Sequence, residues 1–202
     1  MRGNFEKRLC IICEGYEEQE YMEALKKKAV FWNKYDFVFV NAKSINNIYI
    51  RYEEKYRSDS YSMVLIFCDT DKGPSERYLE LKQKINTFHG ADVADDIIIF
   101  GNPCTMQIIL SHFADIRLTS QSKSVNSEYI EKYCGIANYS ASEEQRKELF
   151  AQIRRENYET MKSNIANLST NDEEISSTNF LKFVKYFESE DSSWIEDINN
   201  KL

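Results

Sequence analysis

Apolar runs of strand length alternate with helical patterns through the first half of this chain, and few folds accommodate that order. Residues 9–13 (LCIIC), Tyr35–Asn41 (YDFVFVN), Met63–Asp69 (MVLIFCD) and 96–100 (DIIIF) read as strands. The first and third are continuously apolar, which marks strands covered on both faces, as in a parallel sheet. Between the strands, residues 17–30 carry Tyr21, Met22, Leu25 and Ala29 at helical spacing, and Ile45–Arg57 places Ile48, Tyr52 and Tyr56 on one stripe. Ser75 is positioned to cap a helix running to residue 88, with Tyr78, Leu79, Leu81 and Ile85 apolar. After the fourth strand, Gly101-Asn102-Pro103 turns the chain into a helix over 104–113. This alternation predicts an α/β domain over residues 1–116, with a mostly parallel four-stranded sheet flanked by helices.

Beyond about residue 115 the strand pattern stops. A polar, Ser-rich connection over 118–126 leads into helical segments at 128–134, 142–165, 179–187 and 194–201. Ser142 with Gln145 has the spacing of a capping box, and residues 169–178 (STNDEEISST) read as an exposed linker. Residues 117–202 are thus expected to form an α-helical extension.

The chemistry lies where the strands end. LCIICEGYEE runs from the first strand into Glu14 and Glu18, and MVLIFCDTD runs from the third into Asp69 and Asp71. In parallel sheets ligands gather at the carboxyl ends of the strands. Asp69 and Asp71 face one site if extended geometry continues through Thr70, and Glu18 falls one helical turn beyond Glu14. Carboxylates converging there repel one another unless a hard cation neutralises them, and an oxygen-only ligand set suits Mg2+ or Mn2+. Blander readings stand beside this one. Glu14 and Glu18 also suit a solvated helix start, and the two aspartates also suit a turn ahead of Gly73.

Three further residues lie near these motifs. Asn102 is placed to cap a helix beginning at Pro103, whose N-terminus would favour a phosphate. Lys72 adjoins the aspartates and reads either as a phosphate contact or as a solvated lysine. His112, well inside an apolar helix, reads either as a hydrogen-bonded core histidine or as an acid/base group near the metal.

Whole-chain properties narrow the classes. Thirty-three acidic against 26 basic residues give a net charge of −7, which argues against tight unaided nucleic-acid binding but not against catalysis on nucleic acid at a metal cluster. Arg146, Arg154 and Arg155 are interleaved with Glu143, Glu144, Glu148 and Glu156, the pattern of an ion-paired solvent face. No apolar run approaches the roughly 18 residues that cross a bilayer, and the N-terminus has no apolar stretch after its charges. The expectation is a cytoplasmic protein. Five cysteines, an odd number, fit a reducing compartment. Cys10 and Cys13 form a C-x-x-C, but both lie in a strand pattern with no second pair, which favours core packing over zinc or redox chemistry.

E-G-x-x-E after a first strand and D-x-D after a third resemble the TOPRIM domain, a Rossmann-like fold of topoisomerases, primases and OLD-family nucleases. Residues 101–113 (GNPCTMQIILSHF) and 176–187 (SSTNFLKFVKYF) are similar to two stretches of RloB-like TOPRIM proteins. The resemblance implies that Glu14, Asp69 and Asp71 hold Mg2+, with Glu18 as a further ligand or base. It also implies phosphodiester cleavage of DNA or RNA in anti-phage defence, alongside a partner ATPase. The chain departs from the pattern at Met106, where RloB-like proteins carry Glu, and at Ile108, where they carry Trp. A non-catalytic subunit that binds an ATPase or nucleic acid is therefore the alternative.

Overall fold

The computed structural model describes residues 7–28, 34–71 and 74–202. In chain order the elements are β1 (Lys7–Cys13), α1 (Tyr16–Lys28), β2 (Tyr35–Asn41), α2 (Ile45–Arg57), β3 (Met63–Asp69), α3 (Glu76–His89), α4 (Ala94–Ile97), β4 (Ile98–Asn102), α5 (Met106–Leu110), α6 (Lys123–Cys134), α7 (Glu143–Ala151), α8 (Arg155–Ile165), β5 (Ser177–Thr178), α9 (Phe180–Glu188) and α10 (Ser193–Asn199). The sheet order is β2-β1-β3-β4-β5. The first four strands are parallel, and β5 pairs antiparallel with β4 through Gly101↔Thr178 and Asn102↔Ser177. The fold is therefore α/β, with five strands rather than four.

The fifth strand is short because side chains do part of its work. Thr178 Oγ1 donates to Phe100 O at 2.6 Å, while the Asn179 amide accepts from Phe100 N at 3.0 Å and donates to Ile98 O at 2.7 Å. These groups occupy the exposed edge of β4, which would otherwise present unpaired backbone. Residues 176–178 are buried by this pairing, so the end of the expected exposed linker belongs to the core. Asp172, earlier in the same segment, accepts from Tyr78 Oη at 3.0 Å and from Lys82 Nζ at 2.7 Å. Helix α9 then lays Phe180, Phe183, Val184 and Phe187 inward at i, i+3, i+4 and i+7. Phe180 stacks on Phe67 of β3, with ring centroids 5.8 Å apart.

Two further local departures have visible causes. The expected helix over 142–165 is broken between α7 and α8. Asn157 accepts from Arg154 N at 2.7 Å and donates to Gln152 O at 2.9 Å, so its side chain satisfies backbone groups that a continuous helix would pair. Strand β4 starts at Ile98 rather than at residue 96. Asn86 Oδ1 accepts from Val93 N and Ala94 N, which holds α4 as a turn of helix immediately before the strand.

Cys10 and Cys13 are fully buried free thiols within β1, as is Cys68 in β3, and Cys104 is a largely buried free thiol. Burial raises the Cys10 pKa to about 12. The pair is inert packing. Among the described residues no helix is long and apolar enough to cross a membrane.

Candidate functional site

Strand order decides where a site can form. Strand β2 lies to one side of β1, whereas β3 and β4 lie to the other. The carboxyl ends of β1 and β3 are thus the point at which the winding reverses, the place where open α/β sheets leave a crevice. Glu14 follows β1 and Asp69 ends β3. The two are joined directly: Asp69 N donates to Glu14 Oε2 at 3.1 Å.

A cleft of about 180 Å³ opens here, lined on the sheet side by Glu17, Glu18, Asp69 and Asp71. Glu18 is the third residue of α1, 5% exposed, and its Oε2 accepts from Gly15 N at 2.8 Å. It satisfies a helix-start donor and lines the cleft at once. Asp69 Oδ1 accepts both the backbone N–H and the hydroxyl of Thr105, each at 2.7 Å. Asp71 reaches the cleft differently from the extended course expected through Thr70. The strand ends at Asp69, Thr70 is buried, and Asp71 takes a left-handed φ of 61°. A turn, not strand alternation, brings the second aspartate round. Glu14 stands beside this cleft, with its carboxylate tied to Asp69.

The electrostatics follow from burial. Burial raises the Glu14 pKa, opposed by the Asp69 N–H and reinforced by the charge of Asp71. Burial first, then the charges of Glu17 and Glu14, push Glu18 up to about 7. Asp69 is held well above the ordinary carboxylate range by burial and by Glu18 and Glu14, against the bonds from Thr105. Among the described residues, no lysine or arginine forms an ion pair with Glu14, Glu18, Asp69 or Asp71. Glu14, Glu18 and Asp69 thus crowd one edge of the sheet, where they take up protons readily. The cleft's sheet-side wall offers carboxylate oxygens, which fit a hard divalent cation. Among the described residues, however, no three His, Cys, Asp or Glu side chains close on a common point as a metal cage.

The raised Glu18 pKa has a measurable consequence. The folded state holds this proton more tightly than the unfolded chain, so the contribution to stability is complete below about pH 4.5 and is lost as pH rises through about 7. The loss amounts to about 3 kcal/mol at most. Glu18→Gln keeps an acceptor for Gly15 N and removes the titration. Urea unfolding at pH 5 and pH 8, without divalent metal, is expected to show the wild type weakening across that interval more than the variant.

The other sequence-derived candidates fall elsewhere. His112 is 1% exposed, its Nε2 lies 2.9 Å from Tyr21 Oη, and burial depresses its pKa to about 3 against a smaller opposing effect of Asn157. It sits in the core between α1 and α8 and is not among the cleft's lining residues, which is the arrangement of the hydrogen-bonded core histidine, one of its two sequence readings. Asn102 does not cap a helix. It ends β4, is fully buried, and donates to Asp172 O at 2.7 Å. The following helix, α5, starts only at Met106, with Thr105 as its cap residue, and Thr105 N is directed at Asp69 rather than at an external phosphate. Lys72 lies outside the described residues. Arg146 does not pair with its neighbouring glutamates. It forms two bonds to Glu20 of α1, at 2.8 and 3.0 Å, and its guanidinium packs over the Tyr16 ring.

Compared with protein-family models, curated proteins and solved structures, the chain matches none.

Only part of the outer wall of the cleft was legible in the sequence. Cys104, Thr105, Met106, Gln121, Asn126, Tyr139 and Ala141 form it. Tyr139 Oη donates to Glu17 Oε1 at 2.8 Å, which fastens the segment after α6 to α1. Thr105 and Met106 lie within the N-P-C-T-M stretch that sequence reading singled out. Asn126 and Tyr139 have no local signature.

Proposed function

We propose that this cleft holds Mg2+ or Mn2+ and that the protein is a metal-dependent phosphodiesterase acting on DNA or RNA. The observation that carries this reading is the convergence of carboxylates at the β1 and β3 ends, where Glu14 and Asp69 are joined by a hydrogen bond and the buried Glu18 lines one cleft with Asp69 and Asp71. Asp69, Asp71, Glu14 and Glu18 would hold the ion. With Asp69 Oδ1 engaged by Thr105, Oδ2 is the oxygen left to face it. When bound, such an ion neutralises phosphate charge and lowers the pKa of an attacking water. The resemblance of the E-G-x-x-E, D-x-D, N-P-C and S-T-N segments to RloB-like TOPRIM proteins supports the substrate class. It also supports a setting in anti-phage defence with a partner ATPase.

Met106 favours a second reading. Its side chain lines the cleft at the position where the resembled family carries Glu, so one carboxylate is replaced by a thioether. On that reading the chain is a non-catalytic subunit that binds a partner ATPase or nucleic acid. A panel of DNA and tRNA substrates, incubated with Mg2+ or Mn2+, separates the two. Metal-dependent cleavage by the wild type and none by Asp69→Asn is the expected result. Equal cleavage by both proteins overturns the proposal, and Mn2+ binding without cleavage of any substrate favours the second reading.

A further inference from the structure

Asn126 presents a chemical problem that the acidic wall of the cleft answers. The residue lies in the first turn of α6 and is 6% exposed. Its backbone N–H donates to Ser122 O at 3.0 Å, and its side-chain Nδ2 donates to Cys104 Sγ at 3.5 Å. The amide is thereby turned, and its Oδ1 is buried with no hydrogen-bond partner among the described residues. A buried carbonyl oxygen left unpaired costs about 1–3 kcal/mol, and such groups in native proteins call for a specific explanation. Asn126 is among the residues that line the cleft, together with Glu18, Asp69 and Asp71.

The choice of partner follows from charge. An additional carboxylate on this side would add repulsion to a site already rich in negative charge, whereas an amide oxygen offers a hard donor without it. Mixed sets of carboxylate and amide-carbonyl oxygens are what hard divalent cations take. We propose that Asn126 supplies a neutral oxygen ligand to the divalent cation of this cleft, closing the site from the side away from the sheet. This rests on the metal-binding reading above. It goes beyond it in assigning a ligand from the helical extension, so that the cation would bridge the β1 and β3 ends to α6. Cys104 acts as a positioning residue, because its sulfur takes the amide N–H and leaves the oxygen unpaired.

Mn2+ titration of the whole chain, followed by calorimetry and by electron paramagnetic resonance, tests the assignment in four proteins: wild type, Asn126→Leu, Asn126→Asp and Asp69→Asn. Asn126→Leu is expected to weaken Mn2+ binding roughly tenfold or more. Asn126→Asp keeps an oxygen and adds charge, so it is expected to bind at least as tightly as the wild type. It should also melt lower than the wild type without metal and gain more in melting temperature when Mn2+ is added. A role confined to packing would give the opposite order, since a buried carboxylate would disturb the fold more than leucine. Wild-type affinity in Asn126→Leu, or equal weakening in both variants, overturns the assignment while leaving the metal site standing. If Asn126→Leu does not fold, the Mn2+-induced gain of Asn126→Asp decides, and a gain no larger than that of the wild type overturns it. Absence of Mn2+ binding by the wild type overturns the underlying reading as well, and is recognised by its independence of any change at Asn126.

Discussion

Asp69→Asn is expected to stabilise the metal-free protein and to abolish its response to divalent metal. The carboxylate is partly buried, its neighbours Glu14 and Glu18 are acidic, and its pKa stands well above the ordinary range. Ionising it in the folded state therefore opposes folding, and the penalty grows as pH rises. Asparagine has the same shape, and its oxygen can still accept from Thr105 N and Thr105 Oγ1, the two bonds that hold Asp69. Removing the charge while keeping the contacts should raise stability at pH 8 by about 1–2 kcal/mol, the scale typical when a strained functional residue is neutralised. For a chain of this length that corresponds to roughly 2–8 °C in melting temperature. The gain should shrink towards pH 4, because the wild-type carboxyl is then protonated in the folded state. Millimolar Mg2+ or Mn2+ should reverse the ranking by stabilising only the wild type, as a ligand that binds the folded state alone must. Thermal melts of both proteins at two pH values, with and without metal, check all of this. A variant less stable than the wild type in metal-free buffer at pH 8 would show that the charge is compensated in a way the geometry does not reveal.

Gly101→Ala is expected to carry the largest cost to stability of any single methyl group added at this end of the sheet. A Cβ at this position would lie 2.8 Å from Cys104 O, 2.9 Å from Cys104 C and 2.9 Å from Thr105 N. All three are backbone atoms, so no side chain can swing aside. Overpacking of this kind costs about 1–3 kcal/mol, and relief requires the 104–105 segment to retreat. Thr105 N is the donor to Asp69, and Gly101 sits opposite Asp69 in the β3–β4 register while its carbonyl accepts from Thr70 N. The shift would therefore pull apart the support of the candidate ligand as well. Urea unfolding should show the upper part of that range, and Mn2+ affinity should fall even though residue 101 contacts no ion. Wild-type stability in Gly101→Ala would mean that the turn after β4 yields more easily than its contacts suggest.

Much of the α/β core was legible in the sequence because its signals are local. Met63–Asp69 is an uninterrupted apolar run, and it forms β3 with those bounds. Ser75 caps α3 as its position suggests, accepting from Tyr78 N at 3.3 Å. Elements that depend on distant partners were not legible. Ser177 and Thr178 have no strand pattern of their own, and they pair only because β4 offers an open edge nearby. Asn157 breaks the long tail helix through side-chain bonds that compete with the ladder, while helical periodicity continues across the break. Met106 and Gln107 show the same limit at the site. Met106 lines the cleft, whereas Gln107 turns inward, accepting from Leu118 N and donating to Ile116 O at 2.7 Å each.

By itself the sequence determined the alternation of strands and helices, and with it the emergence of Glu14 and Asp69 at the ends of β1 and β3. An apolar run carries its own terminus, so a residue just after it is placed without knowledge of the rest of the chain. Only the tertiary structure decided which carboxylates share one cleft, that a turn rather than an extended strand brings in Asp71, and that Asn102 and His112 are interior groups. Only the tertiary structure, too, brought Thr105 against Asp69 and folded Asn126 and Tyr139 over the acidic wall. Those placements depend on packing between segments far apart in the chain, where the buried surface and paired hydrogen bonds of the whole domain outweigh any local preference.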